Sequence, residues 1–155
     1  MTLAHVMHVA RNMRPLDIAG IEAILGDIGP DDLAVNRWST HGPAWTVLDD
    51  GVPVAAGGIA FLSTWSAEAW FIGTKDLRPQ SWRKAVAHTR TVLARAADPS
   101  FEHYKHRIEA NVLADRQEAQ RYAKHLGFVF EGTRRAAGRS GEDMQVWAIA
   151  GPVKG

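Results

Sequence analysis

Residues 107 to 132, RIEANVLADRQEAQRYAKHLGFVFEG, constrain the fold most, because two strand patterns and a helix pattern follow one another with almost no linker. Ile108, Ala110 and Val112 alternate with Glu109 and Asn111, the period of two expected of a strand with two chemically different faces. A helix is predicted to open at Asp115, whose carboxylate can accept from free N–H groups of the first turn while Glu118 reaches back. Ala119, Tyr122, Ala123 and Leu126 recur three and four apart and form one apolar stripe. Gly127 supplies the left-handed residue that ends a helix, and Phe128 and Phe130 point to one face of the next strand. Helix and strands therefore share one core.

The rest of the chain supplies the other layers. The run 4–9, AHVMHV, is predicted as a first strand. Pro15 and Asp17 open a helix with Ile18, Ile21, Ile24, Leu25 and Ile28 on one face, ended by Gly26 and Gly29. Leu33, Val35 and Trp38 mark a shorter helix running into the turn Ser39-Thr40-His41-Gly42-Pro43. Ser39 lacks a glycine-flanked nucleophile turn, so Ser39 and His41 read as capping and turn residues rather than as hydrolase machinery. AWTVLDDGVPVAAGGIAF is a hairpin turning at Asp49-Asp50-Gly51. Gly57 and Gly58 in its second strand imply a bulge, a close backbone approach, or packing beside a tryptophan. Residues 67–73 read as a central strand, 82–97 as the longest helix, stopped by Asp98-Pro99, and 144–149 as the final strand. The Gly- and Arg-rich turn 132–141 between the last two strands lacks an apolar pattern and is expected to be exposed and mobile.

This order predicts an α/β (α+β) protein, a mixed central sheet of about six to seven strands flanked by about four helices. The strands at 67–73 and 107–113 should be parallel neighbours joined through the helix at 82–97. With 155 residues, 46% of them hydrophobic, the chain fits a single domain, 1–155. A net charge of +1 gives no global argument for nucleic acid, and the basic residues Arg83, Arg90 and Arg134 to Arg139 lack interleaved aromatics. There is no cysteine, hence no disulfide and no thiolate nucleophile, which fits a reducing compartment. MTLAHVMHVARN carries no basic segment followed by a long apolar run, so neither a secretion signal nor a membrane span is expected and the reading is cytoplasmic. His5 and His8, and His103 and His106, are each three apart with no third ligand nearby, so no metal site is expected.

A strand, a capped helix ending in KHLGF and then FVFEG resembles the C-terminal half of the GNAT N-acetyltransferases, and the order of elements extends the resemblance over nearly the whole chain. MRPLD, AWTVLDDGVPVAAGG, AWFIGT and the LGF helix are similar to a divergent GNAT-type family encoded by tailed bacteriophages, some of them internal virion proteins. The resemblance implies acetyl-coenzyme A, with its pyrophosphate on amides at the N-terminus of the long helix, where free N–H groups and the helix dipole favour an anion. Here that place is GTKDLRPQSW, residues 73–82, which has none of the family's spaced glycines; Pro79 removes a donor, and Leu77 and Trp82 add bulk.

By the same resemblance, Phe71, Ile72, Gly73, Thr74, Ser81, Trp82, Arg83, Lys84, Asn111 and Arg116 are candidate cofactor contacts. Lys75, Arg78, Arg83, Lys84, Arg90 and Arg95 face a single acid, Asp76, and either replace backbone donation to phosphate or form a solvated face. Aligned on Leu126-Gly127-Phe128, Arg116 falls where the family often has Asn, and Ala123 where it often has the Tyr that contacts the thioester. Tyr122 is one position off, a rotation of about 100° on a helix, so it is either a general acid reached differently or a wall residue. Glu68 and Glu109 are the candidate bases, each also readable as a surface residue. The six tryptophans serve the core, a pocket or an interface. Two readings follow: a GNAT-type N-acyltransferase acting on a small-molecule or protein amine, or a GNAT-fold phage virion or accessory protein that has lost catalysis and works through protein contacts, in the host cytoplasm or the virion.

Overall fold

The computed structural model describes residues 1–153. The elements run α1 (Leu3–Arg11), α2 (Pro15–Leu25), α3 (Pro30–Trp38), β1 (Ala44–Asp49), β2 (Val52–Phe61), β3 (Ser66–Gly73), α4 (Pro79–Ala96), β4 (Arg107–Leu113), α5 (Gln117–His125), β5 (Val129–Arg134) and β6 (Met144–Ala150). The predicted first strand is a helix. Val6, Val9, Ala10 and Met13 fall three and four apart and are all buried, a helical rather than an alternating period. The Thr2 hydroxyl caps this helix, accepting from the His5 N–H at 3.2 Å. What remains of a first strand is one bridge, Met13 with Thr74, beside which Arg14 N–H donates to Gly73 O (2.9 Å) and Lys75 N–H to Asn12 O (3.2 Å).

The sheet of the described residues has six strands in the order β1-β2-β3-β4-β6-β5. Every neighbouring pair is antiparallel except β3 and β4, which are parallel and joined through α4, as expected. That parallel pairing covers only Ser66 with Arg107, Ala67 with Ile108 and Glu68 with Glu109. Beyond it β3 runs on to Gly73 and β4 to Leu113 without pairing, so the two strands part in a V. One face of the sheet packs on α4 and α5 through Ile59, Ala67, Leu93, Ile108, Ala123, Phe128 and neighbours. The other packs on α1 and α3 through Val6, Val9, Leu33, Trp70 and Ile72.

Gly57 and Gly58 answer to tryptophans and are themselves regularly paired. A Cβ on Gly58 would stand 2.6 Å from Trp70 Nε1, and one on Gly57 2.9 Å from Trp45 Cζ2. The register shift of that hairpin lies further along the same strand, where Val47 pairs with Ala55 and Leu48 with Pro53, so that Val54 is left without a partner in β1. Asp50 and Gly51 take the positive φ values the turn requires, 48° and 80°.

Two further readings are met in part. Of the apolar side of α2, Ile21 is buried, whereas Ile18, Ile24 and Leu25 are exposed, as is Leu16. This helix lies over the open V rather than over a closed sheet, so part of its apolar face has no sheet to cover. The arginine-rich turn is exposed, as expected, and is also anchored: Arg139 N–H donates to Ala23 O (2.9 Å), Arg139 Nη1 pairs with Asp27 (2.6 Å), and Ala136 N–H donates to Asp143 (2.8 Å). It therefore docks on α2, although most of its side chains face solvent. Among the described residues, no helix is long and apolar enough to cross a membrane.

Candidate functional site

The V between β3 and β4 encloses a cavity of about 340 Å³. α2 closes one side of it, with Leu16, Ile21 and Ile24 as an apolar wall, and α4 and α5 close the other, with Trp82, Thr89 and Tyr122. Five buried side-chain donors have no hydrogen-bond partner among the described residues: Arg37 Nε, Trp45 Nε1, Trp70 Nε1, Arg116 Nε and Tyr122 Oη. All five residues line this one cavity. Buried donors are usually satisfied by protein or by water, so a cavity lined by five of them is the candidate site.

The rim at the C-terminal end of β3 is tied off from within. Gly73 N–H donates to Asp17 Oδ2 (2.8 Å), Thr74 N–H to Val54 O (2.9 Å), Lys75 N–H to Asn12 O, Asp76 N–H to Thr74 Oγ1 (3.3 Å) and Leu77 N–H to Thr74 O (3.2 Å). Leu77 also fills the space that Gly73 leaves, 3.0 Å from where a Cβ would stand. At the start of α4 the fully buried Ser81 hydroxyl donates to Asp49 Oδ2 (3.1 Å), and Arg78 stands 3.6 Å from the same oxygen. The anion at this helix end is thus a carboxylate of the chain itself.

Arg14 fastens the same corner. Its guanidinium donates to both Asp17 oxygens (3.0 and 3.1 Å) and to Glu118 (3.4 Å), and lies 5.5 Å from the centre of the Trp82 ring. Trp82, Phe71 and Tyr122 pack as one aromatic group, with centroids 4.6 Å (Trp82 to Tyr122), 5.2 Å (Phe71 to Trp82) and 5.5 Å (Phe71 to Tyr122) apart. They fill the passage between the first turn of α4 and the middle of α5. Burial pushes the Tyr122 phenol above its ordinary pKa, against smaller opposing effects of Thr89 and Arg14.

On the α2 side stand the polar groups of the sheet. Asn111 Nδ2 donates to Glu68 Oε1 at 3.3 Å, and Arg134 Nη2 donates to Asn111 Oδ1. Arg37, from the last turn of α3, is 7% exposed and lies 5.4 Å from the centre of the Trp70 ring. Burial lowers its pKa and Glu68 raises it; a guanidinium stays charged regardless.

The sequence candidates divide accordingly. Glu68, Phe71, Trp82, Asn111, Arg116 and Tyr122 meet at the cavity. Glu109 is held by Arg107 (2.6 Å), which also binds Glu131 (2.6 Å), in an ion-pair ladder that gives it a structural role. Ile72 is buried in the core under α1 and α3, and Gly73, Thr74 and Ser81 serve the internal bonds just described. Arg83 and Lys84 point to solvent away from the cleft. The helix expected at Asp115 starts two residues later; Asp115 caps nothing and instead faces Arg116 at 3.5 Å. Sequence reasoning missed Arg14, Asp17, Arg37, Asp49 and Trp70. MRPLD, with its carboxylate three residues after an arginine, carried a signal for the first two. His5 and His8 lie one turn apart on α1, and no group of three or more His, Cys, Asp or Glu able to hold a metal occurs among the described residues.

No protein-family model matches the sequence, and no curated protein does. Solved structures do. The structure of yncA from Salmonella typhimurium, with its cofactor acetyl-CoA, matches at a TM-score of 0.70 over 99% of this chain and 92% of that one, at 14% identity. The ribosomal-protein-S18-alanine N-acetyltransferase of Escherichia coli matches at 0.67 over 99% and 90%, at 16% identity, and a GNAT-family acetyltransferase from Bacillus anthracis at 0.66 over 96% and 88%, at 13% identity. The fold is the GNAT fold. The splayed parallel pair β3 and β4, joined through α4, is the part of the GNAT resemblance that implies acetyl-CoA. Here the loop fits that cofactor poorly: the amides from Gly73 to Leu77 are engaged within the protein, Asp49 stands beside the Arg78 and Ser81 side chains at the start of α4, and the Phe71, Trp82 and Tyr122 rings pack together between α4 and α5.

Proposed function

We propose that this GNAT-fold chain is a binding protein, whose cleft receives a ligand and whose acyl-CoA apparatus is out of use. The observation that carries this reading is the loop after β3, where all five amides from Gly73 to Leu77 donate to acceptors within the protein. An anion cradle needs free donors. Within this loop a phosphate must displace Asp17, Asn12 and Val54, each at the cost of an internal hydrogen bond worth about 0.5–1.5 kcal/mol, more for the charged acceptor, which leaves it only the first-turn N–H groups of α4, beside the Asp49 carboxylate. The unsatisfied donors Arg37 Nε, Trp45 Nε1 and Trp70 Nε1 around the cavity favour a ligand rich in acceptors.

A second reading, acyl transfer from acetyl-CoA to a small-molecule or protein amine, is favoured by Glu68, whose carboxylate stands in the cleft where an amine could be deprotonated. The resemblance to tailed-phage sequences adds virion or accessory proteins as candidate partners, in the host cytoplasm or the virion, and rests on the quoted motifs alone. Calorimetry with acetyl-CoA at low and high salt separates the two readings. Binding should be undetectable or weak and salt-sensitive. Submicromolar, salt-insensitive binding would overturn the binding-protein reading and put transfer ahead.

A further inference from the structure

Arg37 is the least explained charge in the molecule. It is 7% exposed, its Nε is buried, and it makes no hydrogen bond or ion pair to any described side chain. Its neighbours are the face of Trp70 and the field of Glu68. A buried guanidinium cannot shed its charge as a lysine can, so lack of a bonded anion is a standing cost to the folded state. Such a cost is commonly met at a site that a ligand completes. Three further facts give the ligand its chemistry. Trp70 Nε1, a second unpartnered donor, is on the side chain whose ring carries the guanidinium. Glu68 lines the same cavity and spends one oxygen on Asn111, with no described partner for the other. The wall opposite is apolar, made by Leu16, Ile21 and Ile24 of α2.

We propose that Arg37, Trp70 and Glu68 form a recognition site for a small amino acid-like zwitterion, its carboxylate against Arg37 and the Trp70 N–H, its ammonium against Glu68. A planar guanidinium matches a carboxylate in two parallel hydrogen bonds, and an indole N–H beside it adds a third donor. The ammonium in turn satisfies the acceptor that Asn111 leaves. A cavity of about 340 Å³ is of the size that holds a small ligand, and the α2 wall suits an aliphatic side chain. This deepens the reading of the cleft as a binding site and rests on it.

Titration of the intact protein with the common L-amino acids, β-alanine and γ-aminobutyrate, followed by calorimetry and by the indole N–H resonance of Trp70, tests the site. At least one member should bind saturably. The matching amide, which lacks the carboxylate, and the matching N-acetyl derivative, which lacks the ammonium, should each bind about tenfold more weakly or not at all. Arg37→Met and Glu68→Gln should each weaken binding to a similar degree. Without ligand, Arg37→Met should melt higher than the wild type, because it removes a buried charge that has no bonded partner. If no member binds the folded wild type, if binding survives Arg37→Met, or if Arg37→Met melts lower, the proposal is overturned. Acetyl-CoA calorimetry is independent of this result: tight cofactor binding together with zwitterion binding overturns the binding-protein reading and leaves the zwitterion site standing.

Discussion

Gly58 lies so close under the indole of Trp70 that a single methyl group has nowhere to go. The added Cβ would meet Nε1 at 2.6 Å and Cε2 at 2.8 Å, both parts of one rigid ring, in the middle of a paired strand. Gly58→Ala should cost about 1–3 kcal/mol, read as a lowered denaturant midpoint. Tyr122 gives a test in alkali. Burial raises its phenol above the ordinary tyrosine pKa, so the unfolded chain loses this proton first as pH rises. The stability it contributes is complete below the unfolded pKa and is lost as pH climbs from there through the folded value. Between about pH 9 and 11, wild-type stability should fall more steeply than that of Tyr122→Phe. At this scale the sequence was legible where chemistry and pattern agreed, as for Glu68, Asn111 and Tyr122, which do meet at the cavity. Arg37 was not legible. An arginine in the last turn of a short helix looks like a solvated residue that complements the dipole, and only its packing on Trp70 shows otherwise.

Among the elements, α1 is the one whose type the sequence misstated. Its run of valines suggested a strand, but the deciding features are the spacing of Val6 and Val9 and the cap at Thr2. Thr2→Ala should therefore lower stability by about 0.5–2 kcal/mol in urea, whereas a strand start at this position would be indifferent to the change. The loop from β3 to α4 is held by α2 through Asp17, which serves both Arg14 and the Gly73 N–H. Arg14 and Asp17 side chains are 23% and 14% exposed, so solvent screens this pair only in part. Asp17→Ala should cost about 2–3 kcal/mol by equilibrium unfolding, and Asp17→Asn less, since an amide oxygen can still accept from Gly73. β4 and the hairpin β1–β2 followed the sequence closely because alternation, turn chemistry and burial all pointed one way there. The anchoring of the arginine-rich turn was not legible, because its anchors, Ala23 O of α2 and Asp27 just beyond that helix, are distant in the chain.

At the scale of the whole molecule, the sheet is two three-stranded halves, β1-β2-β3 and β4-β6-β5, whose backbones meet over the three residue pairs at the base of the V. The side chains make up the difference. The core under α4 and α5 draws Val54, Ile59 and Ala67 from the β1-β2-β3 side and Ile108, Val112, Phe128 and Trp147 from the β4-β6-β5 side. Such a junction resembles the contact between two subunits more than the interior of one sheet, with a small polar seam and a broad apolar surface behind it. The chain crosses from one half to the other through an exposed turn at residues 98–100, which carries none of that surface. Segments 1–100 and 101–155, produced as separate chains in one cell, should therefore find each other and copurify as a stoichiometric heterodimer. If they do, the V is a subunit boundary in all but covalent connectivity, and a protein of this kind can be divided there into a reporter whose two parts come together only when both are present.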